Sequence, residues 1–328
     1  MRAVRFARLG AAAEVLEVDA AEAPRAGAGQ ALVRMRLAAV NPADLLLTQG
    51  RYGRPPALPA VPGVEGVGTV EALGPGVAGP AVGTRVALQG HIGTWQEILA
   101  CDARCLLPVP LDVPDAAAAQ FANPFSAAVM LEDALTLAPG AWIAQSAAAS
   151  ALGRAIVQMA RAKGCRTVNL VRRAEQADEL KAIGAEHVIV GGEDVPARIR
   201  AIVGEAGVAA ALDAVGGQTG TDLVKALAPG GTLLVHGVLD GRPIEVHPGW
   251  LLAKEAAVRG FWVSRWLERA APERRAAVAT EVFRLLADGA LSLPVDATYP
   301  LEAVREAVAH AERSGRHGKV LLTMEGPG

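Results

Sequence analysis

The stretch Trp142-Ile143-Ala144-Gln145-Ser146-Ala147-Ala148-Ala149-Ser150-Ala151-Leu152-Gly153, with the segment Thr167-Val168-Asn169-Leu170-Val171-Arg172-Arg173 beyond it, decides the fold. Pro139-Gly140 introduces the short apolar run Trp142 to Ala144, which reads as a strand, and a turn of small residues follows. Leu152, Ile156, Met159 and Ala160 then recur at helical spacing. That spacing gives a helix one apolar stripe to pack on a sheet, while its first amides face any anion seated in the turn. Gly164 stops the helix, and the β-branched run from Thr167 to Val171 supplies the next parallel strand, closing a βαβ unit.

In such a unit an acidic residue about 20 positions beyond the turn accepts the ribose hydroxyls of a dinucleotide, whereas arginine there neutralises a 2′-phosphate. This chain has Arg172 and Arg173, and no carboxylate before Glu175. A guanidinium fork matches phosphate geometry, so the pair points to NADPH rather than NADH and to an oxidoreductase. A solvated basic loop is the competing reading of the same two residues. The glycine signal is the weaker one, since only Gly153 remains of the usual three. Alanine at negative φ still allows fairly close backbone approach, so the motif is altered rather than lost.

The 328 residues suffice for two domains with sizeable cores, and 52% hydrophobic with 20% charged residues fits a soluble globular protein rather than a disordered or collagen-like chain. A formal charge of -2 gives no reason to expect nucleic acid or an anionic membrane as partner. Cys101, Cys105 and Cys165 are an odd set, and the N-terminus shows no apolar signal segment, so a reducing cytoplasm is expected. No apolar span is long enough for a membrane helix.

Up to about residue 120 the chain is punctuated by Gly and Pro, with short runs such as Ala31 to Arg36 and Val67 to Ala72, the texture of a β-rich domain. From Asn123 strands alternate with helices, which implies a doubly wound parallel sheet. Ala185 to Val190, Ala209 to Val215, Gly231 to Gly237 and Ala257 to Trp262 join the two strands already named, giving the Rossmann count of six, with the switch point beyond Ala144 and Leu212. An amphipathic helix from Pro272 to Asp288 follows, then a strand around Ala297-Thr298-Tyr299, a helix from Leu301 to Ser314 and a last strand Lys319 to Met324. The expected fold class is thus α/β: a Rossmann domain over 121–262, with 1–120 and 263–328 forming a discontinuous β-rich domain.

Asn41-Pro42-Ala43-Asp44, Gln49-Gly50-Arg51-Tyr52-Gly53 and Leu58-Pro59-Ala60-Val61-Pro62-Gly63-Val64-Glu65-Gly66 resemble the zinc-independent branch of the medium-chain dehydrogenase/reductase superfamily, whose catalytic domain is GroES-like. Within it, Gly93-Thr94-Trp95, Asn123-Pro124, Val171-Arg172-Arg173 and Gly260-Phe261-Trp262-Val263-Ser264-Arg265-Trp266 look most like the 2-enoyl thioester reductases, and quinone oxidoreductases share part of the pattern. The resemblance runs in order along essentially the whole chain. Zinc-dependent alcohol dehydrogenases of the superfamily carry Cys and Gly-His-Glu as metal ligands, where this chain has Asn41 and Gly63-Val64-Glu65. Cys101 and Cys105 find no neighbouring pair to complete a tetrahedral set, so no metal is expected.

The resemblance implies roles for single residues. Tyr52 is the expected catalytic acid, in a glycine-flanked loop suited to presenting a phenol at an interdomain cleft. Asn123 contacts the cofactor, Ala149-Ser150-Ala151-Leu152-Gly153 forms the pyrophosphate loop, and Arg172 with Arg173 takes the phosphate. Ala149 and Ala151 depart from the family's usual Asn and Gly. His236 and Gly237, with Phe261, Trp262, Val263 and Ser264, approach the nicotinamide at the carboxyl edge of the sheet, and Lys319 reaches NADPH. Asn41, Tyr52, Trp95, Phe261 and Trp262 are expected to line the substrate pocket. Blander readings stand beside these: Tyr52 as a plug over the cleft, Asn123 as a helix-start signal, Phe261 and Trp262 as core aromatics, Lys319 as a solvated cation. His91 reads as a surface or supporting histidine, Glu65 as an inward structural carboxylate, and Asp44 as a brace for the segment leading to Tyr52.

The expected activity is NADPH-dependent reduction of a conjugated C=C bond in a trans-2-enoyl thioester of coenzyme A or acyl carrier protein. A quinone or small-enone reductase is the alternative, and a catalytically idle NADPH-binding protein the third reading. The resemblance also implies a homodimer acting on a small molecule.

Overall fold

A computed structural model describes residues 1–53, 55–90 and 92–324 and divides them into two compact units, one of Met1–Ala122 with the tail from Ala279, the other Asn123–Val278. His91 and Arg54 lie outside the described residues.

The second unit holds a six-stranded, wholly parallel sheet in the spatial order His187–Val190, Arg166–Val171, Trp142–Gln145, Val208–Asp213, Leu227–Val235 and Ala257–Gly260. Numbered along the chain this is 3-2-1-4-5-6, with the reversal between Trp142–Gln145 and Val208–Asp213, where ligands of such sheets bind. The helix Ala151–Ala162 follows the first strand, and Ser150 caps it by accepting the N–H of Gly153 at 3.1 Å. Its buried face includes Gly153, Ala155, Ile156, Met159 and Ala160, and Gly164, at φ 70°, ends the turn beyond it. The alanine-rich run Val208–Asp213 is a strand despite its low β propensity. Ladders on both sides and the helix Gly217–Ala226 packed on the strand override local preference.

The first unit is built on a seven-stranded sheet whose long strand Gln30–Ala39 pairs with Glu65–Leu73, Ile98–Asp102 and Lys319–Thr323. The last of these pairings returns the C-terminal segment to the first domain, as the sequence predicts. Val4, Phe6, Val33, Met35, Leu88, Trp95, Val304, Val308 and Leu322 are among its core residues.

One boundary differs from the expected one. Val263–Val278 packs with the dinucleotide-type unit instead of the returning tail. Trp266, on the helix Val263–Arg269, meets Phe125 edge to face at 5.6 Å and donates to Asp133 at 3.0 Å. Arg274 then pairs with Glu132 at 2.8 Å and with Asp133 at 2.5 Å, so four polar and aromatic contacts anchor a segment that sequence periodicity alone assigns to the tail.

Candidate functional site

In the parallel unit the expected cofactor residues gather at the carboxyl ends of the strands. The turn after Trp142–Gln145 is held from below: Ser146 donates its N–H to Leu212 O at 3.0 Å, and Ala148 donates to Leu170 O at 3.1 Å. Ala147 sits at φ 49°, a left-handed conformation that costs a Cβ-bearing residue about 1–2 kcal/mol. Gly153 admits no side chain, because a Cβ there would lie 2.5 Å from Ala148 O and 2.7 Å from Ala148 Cα, both backbone atoms. Leu152 and Ala149 are half-buried beside it, and Arg154 fastens the loop by donating to Ala149 O at 3.1 Å and pairing with Glu179.

Sequence reasoning missed the residue that joins the two strands at the switch point. Asp213 is fully buried, and its carboxylate accepts the Ser146 hydroxyl at 2.6 Å and the N–H groups of Val215 and Gly216, each at 2.9 Å. Ser146 Oγ in turn accepts the N–H of Ala214 at 2.9 Å. The signal was an aspartate closing the apolar run Val208 to Leu212, a place where only a fully partnered carboxylate survives burial. His236 donates its N–H to Asp213 O at 2.8 Å, and burial pushes its imidazole down to about 4 against the pull of Asp213, so the ring is neutral at pH 7. Gly237 beside it approaches Ala214 so closely that a Cβ would lie 2.6 Å from Ala214 O.

Arg172 and Arg173 follow directly on the strand Arg166–Val171, Arg172 exposed and Arg173 half-buried, with the N–H of Arg173 bonded to Gln176 Oε1 at 3.2 Å. Among the described residues neither guanidinium is in an ion pair, although carboxylates claim Arg154, Arg166, Arg242 and Arg274 of the same unit. Phe261 follows the last strand and donates its N–H to Val235 O at 2.8 Å. Trp262, 39% exposed, precedes the helix that begins with Val263 and Ser264. Asn123 is half-buried in the first turn of the helix Ala122–Val129. A tight turn at a helix start, closed by a glycine that admits no side chain, with two cations one strand away that form no ion pair among the described residues, fits a nicotinamide dinucleotide.

The β-rich unit contains a buried charged cluster. The helix Pro42–Thr48 starts from Asn41, whose backbone N–H donates to Asp44 Oδ2 at 2.8 Å. Asn41 Nδ2 donates to Glu65 Oε1 at 2.8 Å, while Glu65 Oε2 accepts the N–H of Ala122 at 2.6 Å. Lys319 Nζ donates to Asn41 Oδ1 and lies 3.8 Å from Glu65 Oε1. Glu65 and Asp44 are 0% exposed and Lys319 5%. Burial pushes the Lys319 ammonium down, against the opposing pull of Glu65 and Asp44. Desolvation also raises the Asp44 carboxyl to about 7, and among the described residues its Oδ1 has no hydrogen-bond partner.

Three residues lie elsewhere than expected. Lys319 is an internal cation rather than the solvated one of the blander reading, because Asn41 and Glu65 enclose its ammonium. Trp95 is not a pocket wall. It is 0% exposed, part of the sheet's core, with its indole N–H donated to Ala39 O at 3.2 Å. Asn41, expected in the substrate pocket, is likewise buried within the cluster.

Tyr52 is half-buried in the bend beyond the helix Pro42–Thr48, between Gly50 at φ 69° and Gly53 at φ 59°. The only other tyrosine, Tyr299, already has a hydroxyl contact of 3.0 Å to His310 Nδ1, and His310 Nε2 lies 2.8 Å from Asp296. Among the described residues no group of three His, Cys, Asp or Glu side chains is placed to hold a metal ion. Cys101 is buried, and desolvation pushes its thiol up to about 12. Among the described residues no helix is long and apolar enough to cross a membrane.

Comparison with known proteins agrees with this geometry. Residues 27–111 match the alcohol dehydrogenase GroES-like domain and residues 151–280 the zinc-binding dehydrogenase family. The mitochondrial enoyl-[acyl-carrier-protein] reductase of Bos taurus is 34% identical over 331 residues, covering 99% of this chain and 89% of the bovine protein. The Homo sapiens enzyme of the same name is 33% identical, with the same coverage of both chains. Among solved structures, a putative NADPH:quinone reductase from Bacillus thuringiensis superimposes with a TM-score of 0.92 at 28% identity, covering 99% of both chains. A mycobacterial protein solved with NADPH gives 0.89 at 29% identity, covering 98% of this chain and 100% of its own.

Proposed function

We propose, for a chain that belongs to the medium-chain dehydrogenase/reductase superfamily together with the mitochondrial enoyl-[acyl-carrier-protein] reductases, that it reduces the conjugated double bond of a trans-2-enoyl thioester with NADPH. The observation that carries the reading is the pair Arg172 and Arg173 at the end of the second strand, in no ion pair among the described residues, in a chain similar to those reductases along almost its whole length. NADPH, when bound, supplies a hydride for Cβ of the substrate.

The chain's own residues supply the rest. Arg172 and Arg173 hold the 2′-phosphate by charge-assisted hydrogen bonds. The turn from Ala149 to Gly153 offers helix-start amides to the pyrophosphate, a role that needs no side chain and so tolerates Ala149 and Ala151. His236, neutral at pH 7, offers a nitrogen lone pair and one N–H without adding charge, and Gly237, Phe261, Trp262, Val263 and Ser264 shape the nicotinamide end. Tyr52 holds the proton that Cα needs once the hydride has reached Cβ. Its loop is set by the helix that Asn41 and Asp44 start.

Similarity to the Bacillus thuringiensis structure favours a second reading, electron delivery to a quinone with Tyr52 only shaping the pocket. The test is NADPH oxidation with crotonyl-CoA and with a quinone in parallel. Tyr52→Phe is expected to slow crotonyl-CoA reduction by about 10²–10⁴-fold with NADPH affinity unchanged, the range for loss of a general acid. Undiminished turnover in that variant removes the donor role, and turnover with the quinone alone favours the second reading.

A further inference from the structure

The buried cluster around Glu65 has a consequence for the site. Three separate parts of the chain converge on one carboxylate: Asn41 at the head of the helix leading to Tyr52, Ala122 at the head of the next long helix, and Lys319 on the C-terminal strand. Glu65 is wholly enclosed, and Lys319 is the only cation whose charge reaches it within 4.0 Å among the described residues. A buried carboxylate whose partner is removed is left as an uncompensated charge, and the structure around it must open to water or rearrange. Asn41 lies between the two ions, its Oδ1 accepting from Lys319 and its Nδ2 donating to Glu65, so its orientation is dictated by both. The same residue gives its backbone N–H to Asp44 and begins the helix Pro42–Thr48, four residues before Tyr52.

We propose that Lys319 is a positioning residue rather than a cofactor ligand: its ammonium neutralises Glu65 and, through Asn41, fixes the helix that carries the Tyr52 loop. The inference rests on the reading of Tyr52 as proton donor for its catalytic consequence, while its structural half stands independently.

Lys319→Met, Glu65→Gln and the double variant test it, read by hydrogen exchange of the segment 42–53, by NADPH binding and by crotonyl-CoA turnover. In Lys319→Met the segment exchanges at least tenfold faster and kcat falls by about 10–10²-fold, the scale of a roughly 1 Å misplacement of a catalytic group, with the NADPH Kd unchanged within about twofold. Adding Glu65→Gln removes the stranded charge and restores both exchange and kcat most of the way. If Lys319→Met does not fold but the double variant does, with protected exchange over 42–53, charge balance is the cause and the inference stands. A tenfold weaker NADPH Kd in the single and double variants alike, with no rescue, makes Lys319 a cofactor ligand and overturns it. Unchanged exchange over 42–53 in Lys319→Met, or loss of folding in both variants, overturns it as well. A wild type inactive on crotonyl-CoA counts against the enoyl reading alone, since the exchange comparison still decides the role of Lys319.

Discussion

Replacing Asp44 by Asn is expected to abolish a fall in stability with rising pH. The carboxyl is 0% exposed and takes the N–H of Asn41 at 2.8 Å on Oδ2, while among the described residues Oδ1 accepts no full hydrogen bond. Desolvation lifts it from the ordinary 3.8 to about 7. The N–H groups of Asn41 and Val64 and the Lys319 ammonium pull it down, and Glu65 pushes it further up. Between those two pH values the folded protein keeps a proton that the unfolded chain has released. The contribution is therefore fully present below pH 3.8 and is lost as pH rises to about 7. At about 1.4 kcal/mol for each tenfold change in proton affinity, it is worth about 4 kcal/mol. Asn keeps an oxygen for the Asn41 N–H and carries no charge at any pH. Urea unfolding of both proteins, followed by circular dichroism in half-unit pH steps, reads the effect as the difference between the two profiles, which carries Asp44 together with its coupling to Glu65 and Lys319. Wild type should lose about 3 kcal/mol relative to Asp44→Asn from pH 4 to pH 7 and less than about 1 kcal/mol more by pH 8, where the difference levels off. Parallel profiles across the range would refute the reasoning.

Arg172→Ala with Arg173→Ala should weaken NADPH binding by about 10²-fold while leaving NADH binding within about twofold, since charge-assisted bonds to the 2′-phosphate are each worth about 1.5 kcal/mol or more. Equal losses for the two cofactors in a fluorescence titration would reject the assignment. Ala147→Gly should be neutral or stabilising by up to about 1 kcal/mol, because glycine accepts the φ of 49° without strain but gives up some of that gain through a more flexible unfolded chain. A lower melting temperature in that variant would show that the turn relies on the alanine methyl. Gly153→Ala should destabilise by about 1–3 kcal/mol and weaken NADPH binding, because its Cβ would meet Ala148 backbone at 2.5 Å, and an unchanged melting temperature would contradict that packing.

The parallel unit was legible because its signals are local. Each strand is a short apolar run closed by Gly or a polar turn, and the stripe Leu152, Ile156, Met159 sets the crossover helix, so the six strands read from the sequence are the six of the sheet. Arg172 and Arg173 were legible for the same reason, since their place is counted from the turn. What escaped depends on partners distant in sequence. Ser146 and Asp213 are 67 residues apart, and Lys319 and Asn41 278 apart. Lys319 taken locally reads as a solvated cation, and Asn41 and Glu65 turn it inward. Trp95 follows a Gly93-Thr94 turn that suggests a loop wall, yet its ring fills the core beside Ala39. Local texture also misplaced Val263–Val278, whose allegiance is decided by Phe125, Glu132 and Asp133.

The central claim is most directly tested by incubating the protein with crotonyl-CoA and NADPH deuterated at the transferred position, then analysing the thioester by mass spectrometry and NMR. The account predicts butyryl-CoA with one deuterium at Cβ and a solvent-derived hydrogen at Cα. Recovery of unreacted crotonyl-CoA from a preparation that oxidises the same NADPH with a quinone would contradict it.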